Sequence, residues 1–145
     1  MTDFTYIVTE ETSAEDRDAI ERGLENYNER FIGKDQYKPL YIIMRDSSDE
    51  IVGGIIGGTY WNWLYVRILW VREDCRGRGA GARMMQLAET EAQNRGCKNV
   101  HLDTFDFQAL GFYNKLGYTV WGRLEDFTPG YTRYFLKKQL SASSS

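Results

Sequence analysis

Residues 72–81 read REDCRGRGAG, with Gly77, Gly79 and Gly81 at alternate positions beside Arg76 and Arg78. The stretch follows an apolar run, WLYVRILWV (63–71), and precedes ARMMQLAETEAQNRG (82–96), where apolar residues switch to helical spacing. A strand therefore hands over to a helix through this segment, and its reading decides which α/β fold is in play. Three readings compete. A tight turn accounts for one or two glycines, because glycine takes positive φ without steric penalty. It gives no reason for three of them alternating beside arginines at a helix mouth. A dinucleotide fingerprint can be fitted through Gly77, Gly79 and Ala82, with Asp103 downstream as the ribose-binding acid. That fingerprint follows its strand almost at once and opens a doubly wound domain. Here Arg72 to Arg76 intervene, and the motif comes midway, with too little chain left for the remaining strands. The third reading is a pyrophosphate cradle: exposed N–H groups at a helix N-terminus attract an anion, and glycine lets it approach closely. Arg76 and Arg78 would add charge to it.

Working outward, DFTYIVTE (3–10) alternates as a half-buried strand does. SAEDRDAIERGLENYNERFI (13–32) opens on Ser13 as an N-cap with acids in the first turn. Its apolar positions Ala19, Ile20, Leu24, Tyr27 and Phe31 recur at helical spacing, while Gly23 and Asn26 predict a broken or two-part helix. PLYIIMRD (39–46), the turn SSDE and IVGGIIGGTYW (51–61) form a predicted hairpin, and 63–71 a third strand. In the helix after the glycines, Met84, Met85, Ala88 and Ala92 make one apolar face and Gly96 a C-cap. KNVHLDTF (98–105) is a strand, and QALGFYNKLGY (108–118) a short helix ended by Gly117. YTVWGRL (118–124), an EDFTPG turn region and YTRYFLKKQL (131–140) close the chain, with SASSS (141–145) as a disordered tail. Without an internal repeat or a linker, residues 1–140 are expected to form a single α/β domain with a mixed sheet.

The chain has 145 residues, 27% charged and 42% hydrophobic, the profile of a soluble globular domain. With a formal net charge of −3 there is no basic field to hold a polyanion, so a nucleic-acid partner is not expected. Cys75 and Cys97 are too few for a disulfide scaffold and too far apart for a zinc motif, so no metal is expected. Cys75 beside Arg76 is a candidate reactive thiol. The opening MTDFTYIVTEET carries early acids in place of a basic-then-apolar leader, and no apolar run reaches the roughly 18 residues that cross a bilayer. The expectation is a cytoplasmic protein with no membrane partner.

The run Arg76-Gly77-Arg78-Gly79-Ala80-Gly81 resembles the Q/R-x-x-G-x-G/A acetyl-CoA signature of the GNAT superfamily of N-acetyltransferases. Ala109-Leu110-Gly111-Phe112-Tyr113-Asn114-Lys115-Leu116-Gly117-Tyr118 is similar to that family's AxxFYxKxGF segment. Together they cover roughly residues 63–123 in the family's order. The resemblance implies a mixed, mostly antiparallel, V-split sheet flanked by about four helices. It also implies that acetyl-CoA binds with its pyrophosphate on Arg76, Gly77, Arg78, Gly79, Ala80 and Gly81. Arg72 and Arg83 become candidates for its 3′-phosphate. The strand ending Ile68-Leu69-Trp70-Val71 would pair with the pantetheine arm, and an N–H near Leu69 or Trp70 would face the oxyanion. Tyr113 matches the tyrosine that protonates the departing thiolate. Asp106 stands where the family often has an asparagine contacting the cofactor arm.

The amine acceptor must shed a proton, and many family members use a glutamate on the strand before the loop. That strand carries Tyr65 and Arg67 here and no acid. Glu73, Asp103, Asp106, Glu125, Asp126 and an ordered water remain as alternatives. His101, the one histidine, shares a strand face with Asp103 and is read as a structural residue or a water-mediated base. Trp61 and Trp63 with Tyr60 and Tyr65 form an aromatic group that would line the acceptor side, pack the sheet or face a dimer partner. The activity implied is direct acetyl transfer to a primary amine in a ternary complex, with a small molecule preferred over a protein or peptide acceptor. A non-catalytic acyl-CoA-binding module is the rival, and a homodimer through the closing strand is open.

Overall fold

The computed structural model describes residues 3–34, 36–106 and 108–140, so the SASSS tail lies outside the described residues. The chain divides into two units, residues 1–35 and 36–145.

The first unit is built on α1 (Ala14–Ile32). The Ser13 side chain accepts the Asp16 N–H at 3.0 Å, Glu15 and Asp16 sit on the positive end of the helix dipole, and Gly33 ends the helix at φ +75. The helix runs unbroken through Gly23 and Asn26, correcting the expected two-part helix. A single interior glycine costs about 1 kcal/mol, and the intact cap and the Tyr27–Phe31 ring contact at 5.4 Å offset it. Residues 3–9 form no strand either. Alternation marks a chain able to be a strand, but a strand exists only with a ladder partner, and none of the described pairings includes this segment.

The second unit is a six-stranded sheet with two helices. Its strands are β1 (Lys38–Arg45), β2 (Ile51–Tyr60), β3 (Trp63–Val71), β4 (Asn99–Phe105), β5 (Thr119–Thr128) and β6 (Tyr131–Gln139), in spatial order β1-β2-β3-β4-β6-β5. The helices are α2 (Ala80–Asn94) and α3 (Leu110–Lys115), with a 3₁₀ turn at Glu73–Cys75. The described chain thus has three α-helices, fewer than the expected four, because the N-terminal helix is continuous. Every strand pair is antiparallel except β3–β4, which α2 connects as a β-α-β crossover. Trp61, read from sequence as the end of a strand, lies in the β2–β3 turn at φ +42.

The apolar face of α2 is the one its sequence marks: Met84, Met85, Ala88 and Ala92 are buried against Leu40, Ile55, Leu64, Val66, Val100, Leu102 and Leu136. The two alanines are fully buried, which brings the helix axis close to the sheet. β5 runs on through Glu125 to Thr128, so the turn before β6 is shorter than EDFTPG suggested.

The feature that positions the site is a parting of strands. β3 pairs with β4 only from Trp63↔Asn99 to Val66↔Leu102, yet both strands continue. At the same place the β2–β3 register shifts: Ile56 pairs with Ile68 and Gly57 with Val66, so Arg67 is an extra, bulged residue. A bulge bends its strand and increases the local twist, which carries Ile68–Val71 away from β4. The other half of β4 stays with β6, from Asp103↔Phe135 to Phe105↔Arg133. The sheet is V-split, and the split opens between the C-terminal halves of β3 and β4.

Candidate active site

A cleft of about 860 Å³ occupies the split. β3 lines it from Val66 to Val71, the glycine loop with Cys75, Arg76, Gly77, Gly79, Ala80, Gly81 and Ala82, β4 with Asp103 and Thr104, and the next segment with Gln108, Ala109, Phe112 and Tyr113. Past Val66, β3 has no strand partner on its β4 side, so one edge of its backbone faces the cleft.

At the cleft mouth Gly77 and Gly79 adopt φ +79 and +80, the left-handed region, with nothing within 4 Å of where a Cβ would stand. Gly79 is the N-cap of α2 and supplies no side-chain cap, so the first N–H groups of the helix look out toward the cleft without an internal partner. Gly81 is needed for closeness instead, since a Cβ there would stand 3.2 Å from Cζ of Phe112. The two motifs singled out in the sequence therefore touch, and the missing side chain is what lets α2 and α3 close on each other.

The arginines divide. Arg76 turns back, its Nε donating to the Val71 carbonyl at 2.9 Å, and so caps the open end of β3. Arg72 is held by Asp74 at 2.6 Å, with Glu50 and Asp46 at 3.6 and 4.0 Å, and leaves no unpaired charge for a phosphate. Arg78 is exposed on the loop. Arg83 donates to the Gln86 side chain at 3.0 Å and borders a separate hollow with Gly79, Ala82, Glu89 and Lys138.

Tyr113 is buried at 6% exposure, edge-on to Phe112 and Tyr118 at 5.1 and 5.7 Å. Burial, reinforced by the negative charge of Asp103, pushes its phenol up to about 12, so it holds its proton throughout the neutral range. Tyr118 packs behind it, donating to Glu89 Oε2 at 2.7 Å, while Lys138 donates to Glu89 Oε1 at 2.8 Å. That triad ties α2 to β6 beneath the tyrosine.

Asp106 is not among the cleft-lining residues. Its Oδ2 accepts the Thr132 N–H at 3.2 Å and its own N–H donates to the Thr132 carbonyl, so it staples the end of β4 to β6. Gln108 takes the place at the cleft, its Oε1 accepting from the Phe105 N–H at 2.8 Å. Of the other carboxylates considered for proton removal, Glu125 pairs with Arg123 at 3.3 Å and Asp126 accepts the Gly130 N–H at 2.9 Å, both on the β5–β6 hairpin. Glu73 sits exposed on the 3₁₀ turn. Asp103 alone of these lines the cleft.

The aromatic group separates into two. Tyr60 packs tilted against Tyr37 at 4.7 Å, whereas Tyr65 and Trp63 contact the His101 ring at 4.8 and 5.5 Å. Burial lowers the His101 pKa, so the imidazole is neutral, and it serves as the packing centre of that second group. Cys75 rests against Asp74 at the glycine-loop end of the cleft, and Cys97 is buried in the core, where burial raises its thiol pKa. Among the described residues no three His, Cys, Asp or Glu side chains converge as metal ligands, and no helix is long and apolar enough to cross a membrane.

A family profile described as the acetyltransferase (GNAT) family matches residues 4–118. An acetyltransferase of Agrobacterium fabrum is 33% identical over 134 residues, which is 92% of this chain and 98% of that one. The blasticidin-S acetyltransferase of Streptomyces morookaense is 41% identical over 92 residues, 63% of this chain and 68% of that protein. The crystal structure of a candidate acetyltransferase from Agrobacterium tumefaciens has a TM-score of 0.88 at 32% identity, covering 94% of this chain and 100% of that one.

Proposed function

The chain belongs to the acetyltransferase (GNAT) family, and from that premise we propose that it moves an acetyl group from acetyl-CoA to a primary amine by direct attack in a ternary complex. The observation that carries this reading is the left-handed pair Gly77 and Gly79 opening α2 at the mouth of a cleft between parted strands. A Cβ at either position would enter open space, so the bare backbone is suited to an anion's approach. The N–H groups of the Gly77–Gly81 segment bind the diphosphate, and exposed Arg78 adds a charge at the rim.

The residues beyond the loop fit the rest of the donor. The unpaired edge of β3 from Arg67 to Val71 accepts the amides of the pantetheine arm as an added strand, which draws the thioester toward the split. There an N–H near Leu69 or Trp70 stabilises the charge that develops on the carbonyl oxygen. Tyr113 lines the same cleft and supports the departing sulfur. Its phenol keeps its proton through the neutral range, so a donor is in place for the charge that builds on sulfur as the C–S bond breaks. Cys75 lies with the phosphate loop, which favours direct attack over an acyl-cysteine relay. A small-molecule acceptor is supported by the name of the Streptomyces relative, a blasticidin-S acetyltransferase, and by the net charge of −3.

The test combines acetyl-CoA with a panel of primary amines and follows free thiol. Thiol release with at least one amine is expected, and Tyr113→Phe should lower kcat by about 10²-fold with CoA affinity unchanged. CoA binding without thiol release on any amine would make the protein a non-catalytic acyl-CoA module. No CoA binding at all would overturn the reading.

A further inference from the structure

The first residue of β4 past its last β3 partner is Asp103, and among the described cleft-lining residues it is the only carboxylate. It is held from β6. Its Oδ1 accepts from Arg133 Nε at 3.0 Å, with Arg133 Nη2 also at 3.0 Å, while on β3 burial and then the charge of the same carboxylate raise the Tyr65 phenol pKa. Both neighbours are braced in turn: Arg133 lies over the rings of Phe127 and Phe135 at 5.0 and 5.1 Å, and Tyr65 stacks on His101. The carboxylate therefore has one orientation at the vertex of the split. Both Arg133 contacts fall on Oδ1, and a carboxylate offers about four lone-pair sites, so capacity remains for a donor arriving through the cleft.

We propose that Asp103 selects the acceptor: it binds the ammonium of a cationic amine at the parting of β3 and β4 and is the first group to take its proton. This rests on the acetyl-transfer reading above. An alkylammonium has no lone pair for attack, β3 carries no acid, and the other carboxylates considered lie away from the cleft. The groups that bear on Asp103 are Tyr65 from β3, with Arg67 beyond it, His101 on β4 itself, Tyr113 from α3 and Arg133 from β6. With His101 neutral and both tyrosines protonated, only the arginines are charged beside it.

The protons balance. R–NH₃⁺ gives one to the carboxylate, leaving R–NH₂ and the carboxylic acid. A carboxylate is a weak base against an alkylammonium, so the proton passes on to solvent through the cleft mouth. The nitrogen lone pair forms the C–N bond, and the C–S bond breaks with its electrons on sulfur. Sulfur takes a proton from Tyr113, the amide nitrogen sheds its second proton, and that proton restores the phenol through solvent. One proton leaves per acetyl group transferred.

The experiment compares an alkylamine active in the panel with hydroxylamine, which is uncharged at neutral pH. Asp103→Asn keeps an oxygen for Arg133 and removes the charge. Its kcat/KM should fall about 10²-fold for the alkylamine and less than about threefold for hydroxylamine, with the acetyl-CoA KM unchanged. Asp103→Glu should recover about tenfold of the alkylamine rate. Should the asparagine variant fail to fold, Tyr65→Phe removes the polar hydroxyl beside the same carboxylate, and a three- to tenfold loss confined to the alkylamine is expected. Equal losses for both acceptors, or no loss, would overturn the assignment of Asp103 while leaving acetyl transfer intact. A wild-type protein that acetylates no amine refutes both.

Discussion

Replacing Gly79 with alanine separates the backbone's conformational requirement from its role at the cleft, because α2 carries its own control. Gly79 precedes the helix at φ +80 and Gly96 follows it at φ +90, and nothing lies within 4 Å of a Cβ at either. Neither substitution makes a clash, so both carry the same intrinsic strain of a left-handed alanine, about 1–2 kcal/mol. In a domain of this size each kcal/mol shifts Tm by roughly 2–4 °C, so both variants should melt about 2–8 °C lower. Binding should split them. At Gly79 the new methyl group stands at the helix mouth among the N–H groups assigned to the diphosphate, and any φ relaxation swings those groups away. CoA affinity measured by calorimetry should fall at least tenfold, about 1.4 kcal/mol, in Gly79→Ala and less than twofold in Gly96→Ala. Equal losses in the two variants would mean that only global stability matters. Wild-type affinity in Gly79→Ala would refute the cradle.

The Tyr113 phenol is pushed above its ordinary value to about 12, and Tyr118 is raised in the same direction by burial and by Glu89. A pKa raised on folding gives stability that is complete below the unfolded value near 10 and is lost as pH climbs toward the folded value. Urea midpoints should therefore drop between about pH 10 and 12, Tyr113 accounting for roughly 2–3 kcal/mol, and Tyr113→Phe should flatten the decline; a midpoint independent of pH there would contradict the burial argument. Glu89, 14% exposed, accepts both the Tyr118 hydroxyl and the Lys138 ammonium. Glu89→Ala strands an ammonium and a nearly fully buried hydroxyl, and should cost about 3–5 kcal/mol in urea unfolding; a loss under 1 kcal/mol would show the triad to be slack.

What could be seen in the chain before it folds is what depends on near neighbours. The α2 face of Met84, Met85, Ala88 and Ala92, the Ser13 cap, the hairpin over 39–60 and the turn through Gly77 and Gly79 all follow from residues within a few positions of one another. The loop proposed for the donor is of this kind, since its N–H groups come from consecutive residues, and so a stretch of ten letters suggested it. Arg72, Arg76 and Asp106 show where that stops: each has the right type and place, and each is engaged by a partner that local spacing does not reveal. The alternating 3–10 segment shows the same limit, because a strand is made by its partner. The split of β3 from β4 depends on a bulge in the β2–β3 register, and Asp103 acquires its place only when β6 brings Arg133 beside it. By itself the sequence determined the α2 face, the Ser13 cap and the turn through Gly77 and Gly79, which are local problems. The cleft and the setting of Asp103 in it were decided only by tertiary structure, because strand register joins residues that the chain keeps far apart.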